Sequence, residues 1–205
     1  MIRIDEQLFQ GPHICLGPID HEKDAEVEAR WTHDASYLRL LSLKPALPAS
    51  PAQIKKRYEA IEKEQEQNNL FYFTIRLRPA ELAPEAEEPS VAAQPLIGFA
   101  RLDRIEWTNG NGYIQIGIGD PQDRQQGYGS EALRLLLRFA FGELNLHRLT
   151  VQVPEYNPAA LRLFQKAGFV EEVRRRQALN RDGRRWDLLH LGLLSSEWEA
   201  GNERQ

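Results

Sequence analysis

Cysteine occurs once in the 205 residues, as Cys15, so the chain can form no internal disulfide, which fits a reducing compartment. No apolar run approaches the ~20 residues that span a bilayer, so no membrane partner is expected. The opening MIRIDEQLFQ lacks a basic stretch followed by an apolar one, so no secretory signal is expected and a cytoplasmic protein is. The five histidines show no ligand spacing and there is no Cys/His cluster, so no metal is expected. Basic charge is not in excess: the net charge is −4, which speaks against a surface that neutralises nucleic-acid phosphates. There is also no G-x-x-x-x-G-K-[ST] phosphate loop.

What is present is an ordinary soluble composition, 41% hydrophobic and 27% charged, in a chain long enough to bury a core without staples. One domain over 1–205 is the expectation. LFQGPHICLGPID reads as a strand entering a turn, and DHEKDAEVEARW as a helix. Residues 34–49 are mixed, with Pro45 and Pro48 breaking any helix. SPAQIKKRYEAIEKEQEQNN is a helix with Ser50 as N-cap, Pro51 at the first position and Gln53 completing a capping box. NLFYFTIRLR is a strand. Residues 79–95 hold four prolines and four glutamates with no basic residue, and read as a flexible acidic loop.

LIGFARLDRIEW and YIQIGIGD flank TNGNG, whose Asn-Gly steps suit a hairpin turn, so these strands are antiparallel neighbours. In the second, Ile114, Ile116 and Ile118 share one face, and Tyr113, Gln115, Gly117 and Gly119 the other. SEALRLLLRFAFGEL is a helix apolar around most of its circumference and therefore buried. HRLTVQV is a strand. NPAALRLFQKAGF is a short helix with Asn157 as N-cap, Pro158 at the first position, and Gly168 and Phe169 closing it. The segment from Phe169 to Leu194 reads as a hairpin turning at Asn180–Gly183. The order describes a mixed α/β sheet with helices on both faces.

The most informative stretch is RQQGYGSEAL, residues 124–133. A helix N-terminus presents unpaired N–H groups and partial positive charge, where anions dock. Glycine at 127 and 129 lets a phosphate approach and lets successive amides point into one concavity, while Arg124 adds positive charge nearby. From local physics alone, a tight helix start explains the glycines equally well. A Rossmann site is disfavoured, because seven residues, DPQDRQQ, separate Gly119 from Gly127.

Arg124-Gln-Gln-Gly127-Tyr-Gly129 resembles the Q/R-x-x-G-x-G/A signature of the GNAT superfamily of acyl-CoA-dependent N-acetyltransferases. Asn157, Ala160 and Lys166-Ala-Gly168-Phe169 resemble its companion N-x-x-A…K-x-G-F segment. The resemblance is strong over 96–194 and weaker before, where LFQGPHICLGPID is similar to the opening of the RimJ/RimL branch. It implies a GNAT fold with a mostly antiparallel mixed sheet, and an acetyl-CoA-binding core over 124–169. It implies acetyl transfer to a primary amine, either a protein α-amine or a small molecule, with a homodimer as a family-level expectation. The alternative is a GNAT-fold acyl-CoA-binding module without turnover.

By the same resemblance, the amides of Gln125, Gln126, Gly127, Tyr128, Gly129 and Ser130 bind the CoA pyrophosphate with help from Arg124. A bulge at Ile118 and Gly119 meets the pantetheine arm, and Asn157 contacts the cofactor. Phe164 stands where many members carry a tyrosine that protonates the leaving thiolate. Tyr156 and Tyr128 are candidate substitutes. Glu106 is the first candidate base, followed by Glu171, Glu172 and Asp187, with a water chain as the alternative. A lysine-type amine of pKa ~10.4 is about 0.04% neutral at pH 7, so such an acceptor needs a base far more than an α-amine does. The arginines at 174–176, 181, 184 and 185 are either a solvated face or a recruiting surface for an acidic protein substrate.

Overall fold

The protein is described from a computed structural model over residues 7–79 and 90–202. Seven strands form one sheet in the order β1-β2-β3-β4-β5-β7-β6. They are β1 Ile14–Gly17, β2 Leu70–Leu77, β3 Leu96–Glu106, β4 Asn111–Ile118, β5 Arg148–Pro154, β6 Val170–Arg181 and β7 Arg184–Leu194. Every neighbour pair is antiparallel except β4 with β5. That parallel pair is short, running only from Asn111↔Arg148 to Tyr113↔Thr150. Beyond Tyr113, β4 keeps β3 as its strand partner and parts from β5, opening the sheet toward the end of β4.

Alternation along the strands gives each face its helices. Ala100, Leu102 and Ile114 are buried together with Leu133, Leu136 and Leu137 of helix α4 (Tyr128–Leu137) and Phe164 of α5 (Pro158–Lys166). On the other face, Tyr72 stacks on Phe99 at 5.4 Å, packed with α1 (Lys23–Trp31) and α3 (Pro51–Glu66). Glu28 of α1 accepts from Tyr58 at 2.7 Å, Arg57 at 2.8 Å and Tyr72 at 3.3 Å, so its buried charge is met from α3 and β2. Glu131, in the first turn of α4, accepts from the amides of His13 (2.9 Å) and Ile14 (3.1 Å), tying the edge strand to the helix start. The α3 capping box forms as read: the Ser50 amide donates to Gln53 at 2.8 Å and the Gln53 amide to Ser50 at 3.3 Å. The β3–β4 turn at Gly110 (φ 64°) and the β6–β7 turn at Asp182 and Gly183 (φ 53° and 71°) use the left-handed angles their residues suit.

Three features depart from the sequence reading. Residues Ala35–Leu41 form helix α2, because Pro45 and Pro48 bar a helix only from their own positions onward and Asp34 caps the start, accepting from Ser36 at 2.8 Å. The helix read as starting at Ser130 begins at Tyr128, and from Arg138 to Glu143 it widens into a π-helical segment. A final helix, α6 (Ser195–Asn202), follows β7; its Trp198 packs on Phe141 at 5.4 Å. Most of the loop read at 79–95 lies outside the described residues. In its end at 90–95, Val91–Ala93 make a 3-10 turn, Gln94 is buried against Arg76, and Ser90, Ala93 and Pro95 are exposed.

Candidate active site

The glycine turn lies at the head of the opening between β4 and β5. Gly127 caps α4 at φ 91°, and Gln125 before it has φ 63°. The amides of residues 125–129 meet no acceptor among the described residues, whereas Ser130 donates to the Gly127 carbonyl at 3.0 Å. Ser130 is therefore a weaker amide donor than the sequence suggested. A Cβ on Gly127 would meet nothing within 4 Å, so its glycine is required by backbone angle and not by crowding. A cavity of about 590 Å³ opens beside the turn, lined by Ile116–Ile118, Arg124, Gln125, Gly127, Gly129, Ser130, Asn157, Arg162 and Lys166, with Tyr37, Leu40 and Leu41 of α2. Free amides at a helix N-terminus, with Arg162 and Lys166 beside them, suit a diphosphate.

Arg124 turns toward the end of β4. Its guanidinium donates to the carbonyls of Ile118 (3.2 Å) and Gly119 and pairs with Asp34 at 3.2 Å. The bulge expected at Ile118 and Gly119 is absent, since β3 and β4 keep register through Phe99↔Gly117 and Gly98↔Ile118. Glycine at 119 answers a different need: a Cβ there would fall inside the Trp31 indole, and its amide already donates to Ile97 at 2.9 Å.

A second cavity of about 360 Å³ continues through the strand opening and shares Leu40, Leu41, Ile116, Asn157 and Ala160 with the first. Its floor is Arg101, Asp103, Arg104, Gln115, Gln152 and Phe164. Phe164 is 4% exposed and meets Phe169 edge-on at 5.3 Å; it brings no hydroxyl to this point. The carbonyls at the end of α2 are met from across the cleft. Gln115 donates to Leu41 (2.7 Å), Tyr156 to Arg39 (3.0 Å), Asn157 to Leu40 (3.3 Å) and Arg181 to Leu43 (2.9 Å). Helix α2 is thus a strap over the junction of the two cavities. Sequence reading missed it, although Asp34 two residues before Ser36 was the available signal. Asn157 also accepts from Ala160 at 3.1 Å, so its helix-capping role is realised.

The candidate acid–base residues lie elsewhere. Glu106 is opposite Asn111, at the other end of β4 from Ile118, roughly 23 Å away at strand rise. Hydrogen bonds from Asn111 (3.1 Å) and Asn109 (3.2 Å) hold its carboxyl below the usual carboxylate range, which also makes it a poorer base. Tyr156 lines neither cavity. Glu171 and Asp187 are engaged by Arg174 at 2.9 and 3.1 Å, and Glu172 pairs with Arg148. The arginine run is dispersed in the same way: Arg174 sits among carboxylates, Arg181 on the strap and Arg184 over the Trp186 ring at 4.0 Å. Accordingly, Glu106→Gln and Tyr156→Phe are each expected to leave kcat within about threefold of the parent. A role in proton transfer would instead show as a loss of ~10²-fold or more.

A family described as Acetyltransferase (GNAT) domain matches residues 13–170. The spermidine N(1)-acetyltransferase of Vibrio cholerae is 30% identical over 107 residues, covering 52% of this chain and 61% of that protein. A putative ribosomal N-acetyltransferase of Bacillus subtilis, YdaF, is 30% identical over 105 residues, covering 51% and 57%. The chain thus spans about three fifths or less of the length of these two relatives. In fold, it matches a crystal structure of a probable acetyltransferase with TM-score 0.76 at 22% identity, over 94% of this chain and 97% of that one. It also matches the Vibrio cholerae spermidine N-acetyltransferase in complex with CoA and spermine, with TM-score 0.73 at 21% identity, over 92% and 99%. Among the described residues, no group of metal-ligating side chains is assembled and no helix is long and apolar enough to cross a membrane.

Proposed function

The chain belongs to the GNAT acetyltransferase family, and on that premise we propose that it is an acetyl-CoA-dependent N-acetyltransferase acting on a primary amine. The observation that carries this reading is the set of unpaired amides at 125–129, at the head of a cleft that runs through the gap between β4 and β5. These amides, with Arg162 and Lys166, hold the diphosphate of acetyl-CoA, and Asn157 and the end of β4 flank its thioester arm. Acetyl-CoA supplies an activated acetyl group: the amine nitrogen forms the new N–C bond, the C–S bond breaks and CoA leaves as thiolate. The protein keeps the two partners on opposite sides of the strand gap, so that binding supplies orientation. With Phe164 in place of a hydroxyl, the thiolate takes its proton from water; a thiol of pKa ~8.5 leaves readily enough for that near neutral pH. Water likewise takes the proton of the acceptor amine.

We place the chain in the RimJ/RimL-like branch and expect it to self-associate, as a homodimer at least; the dodecameric structure of the Vibrio cholerae relative supports self-association alone. The test is thiol release from acetyl-CoA with a panel of amines. Acceptor-dependent release supports the enzyme, and tight CoA binding with no release from any amine overturns it.

A further inference from the structure

The acceptor side of the cleft carries an unusual cation. Along β3, alternation turns Asp103 to one face and would send Arg104 to the other. Instead the ladder slips between Asp103 and Glu106, and Arg104 takes φ 50°, a left-handed angle that a long side chain rarely adopts. The result brings Arg104 back beside Asp103. Its guanidinium lies 3.6 Å from the centre of the Tyr113 ring and donates to Asp103 at 3.2 Å. Arg101, three residues before Arg104, reaches the same carboxylate, and its Nε is buried with no hydrogen-bond partner among the described residues. Strain spent to bring a second arginine to a cleft floor points to a ligand that needs it.

The charge balance agrees. The floor holds two arginines against one carboxylate, and that carboxylate is shared by both. Glu155, Glu171 and Asp187 gather around Arg174 and Asp182 pairs with Arg39, and none of the four lines the cavity. His190, across from the cleft residue Gln152 in the β5–β7 ladder, is driven toward its neutral form first by burial and then by the charges of Arg175 and Arg104. Among the described residues that line this cavity, Asp103 is the one carboxylate, and with both arginines on it a second ammonium group is poorly received.

We propose that the acceptor is an amine whose carrier also bears a carboxylate, held by Arg101 and Arg104 while the amine faces the thioester. This rests on the N-acetyltransferase reading above and names the substrate class of the same site. A free amino acid and a peptide beginning with an acidic residue share this chemistry, and a cavity of about 360 Å³ admits one residue of either.

The test measures kcat/KM with acetyl-CoA for three kinds of acceptor. They are free amino acids against their amides, peptides with N-terminal Glu against N-terminal Gln, and spermidine. In at least one of the first two pairs the carboxylate member is expected to be favoured by about tenfold or more, with spermidine the poorest. Preference in the first pair alone identifies a free amino acid; preference in the second alone identifies a peptide N-terminus. Arg104→Gln is expected to erase most of the preference by raising the acceptor KM, and Arg104→Lys to restore part of it, with the KM for acetyl-CoA unchanged in both. Equal use of both members of each pair, spermidine as the best acceptor, or a preference that survives Arg104→Gln overturns the substrate class while leaving the acetyltransferase reading standing. No thiol release with any acceptor overturns both.

Discussion

Gly127→Glu is expected to weaken acetyl-CoA binding by about a hundredfold or more by calorimetry, with the fold retained. Two effects act together. The glutamate would be held at φ 91°, a strain of about 1–3 kcal/mol for a side-chain-bearing residue. Its carboxylate would also stand in the concavity of amides that a diphosphate must enter, replacing attraction by like-charge repulsion. The fold survives because a Cβ at 127 meets no atom within 4 Å. Strain of this size lowers Tm by roughly 2–12 °C in a chain of this length, a loss the matched control shares. Gly183→Glu is the matched control. It too has positive φ (71°) and an open surround, but it lies in the β6–β7 turn, so it should share the loss of Tm and keep full affinity. Equal affinity in both variants would show that the glycine turn does not hold the diphosphate.

The largest loss of stability is expected from Asp24→Ala. Asp24 and Arg76 are 1% and 2% exposed and joined by two hydrogen bonds, of 2.8 and 2.6 Å. Arg76 also donates to Thr74 at 3.2 Å and to the Gln94 carbonyl at 3.1 Å, while Asp24 accepts from the Asp20 amide at 2.7 Å. Removing the carboxylate leaves a guanidinium buried without its counter-charge, which costs about 3–5 kcal/mol. In a chain of this size that lowers Tm by roughly 6–20 °C. Restoring neutrality with Asp24→Ala/Arg76→Met should recover much of the loss, because the penalty comes from the stranded charge more than from the missing bond. A double variant no more stable than Asp24→Ala would contradict that assignment. The pair bears on function through position: it pins α1 to β2, and α1 carries Trp31, whose ring covers Gly119 and whose Nε1 donates to Asp120 at 3.2 Å.

How legible the molecule was depended on the range of the interaction that decided each feature. Local chemistry was readable. The Ser50–Gln53 box, the Asn157 cap, the Gly110 and Gly183 turns and the glycine-rich start of α4 each follow from a few neighbouring residues. The isoleucine face of β4 followed from period-two alternation, and Ile114, Ile116 and Ile118 do pack on the α4 side. Features settled across the fold were not readable. Helix α2 is short, and the groups that meet its last carbonyls come from β4, β6 and the turn before α5, more than 70 residues later. The slip at Arg104 defeats simple alternation along β3, and nothing in the neighbouring residues announces it. Glycine 119 was read for a coenzyme, but its nearest claim is an indole from 88 positions earlier. Glu106 was a plausible base in one dimension and lies at the wrong end of its hairpin in three.

In the proposed function, the amides around Gly127 receive the diphosphate of a coenzyme whose thioester reaches the gap between β4 and β5. A crystal structure of the protein with bound CoA tests it most directly. The expected result is diphosphate oxygens within about 2.7–3.2 Å of amide nitrogens among residues 125–129, and the thiol end between Ile116 and Asn157. Coenzyme seated elsewhere, with those amides facing only solvent, would contradict it.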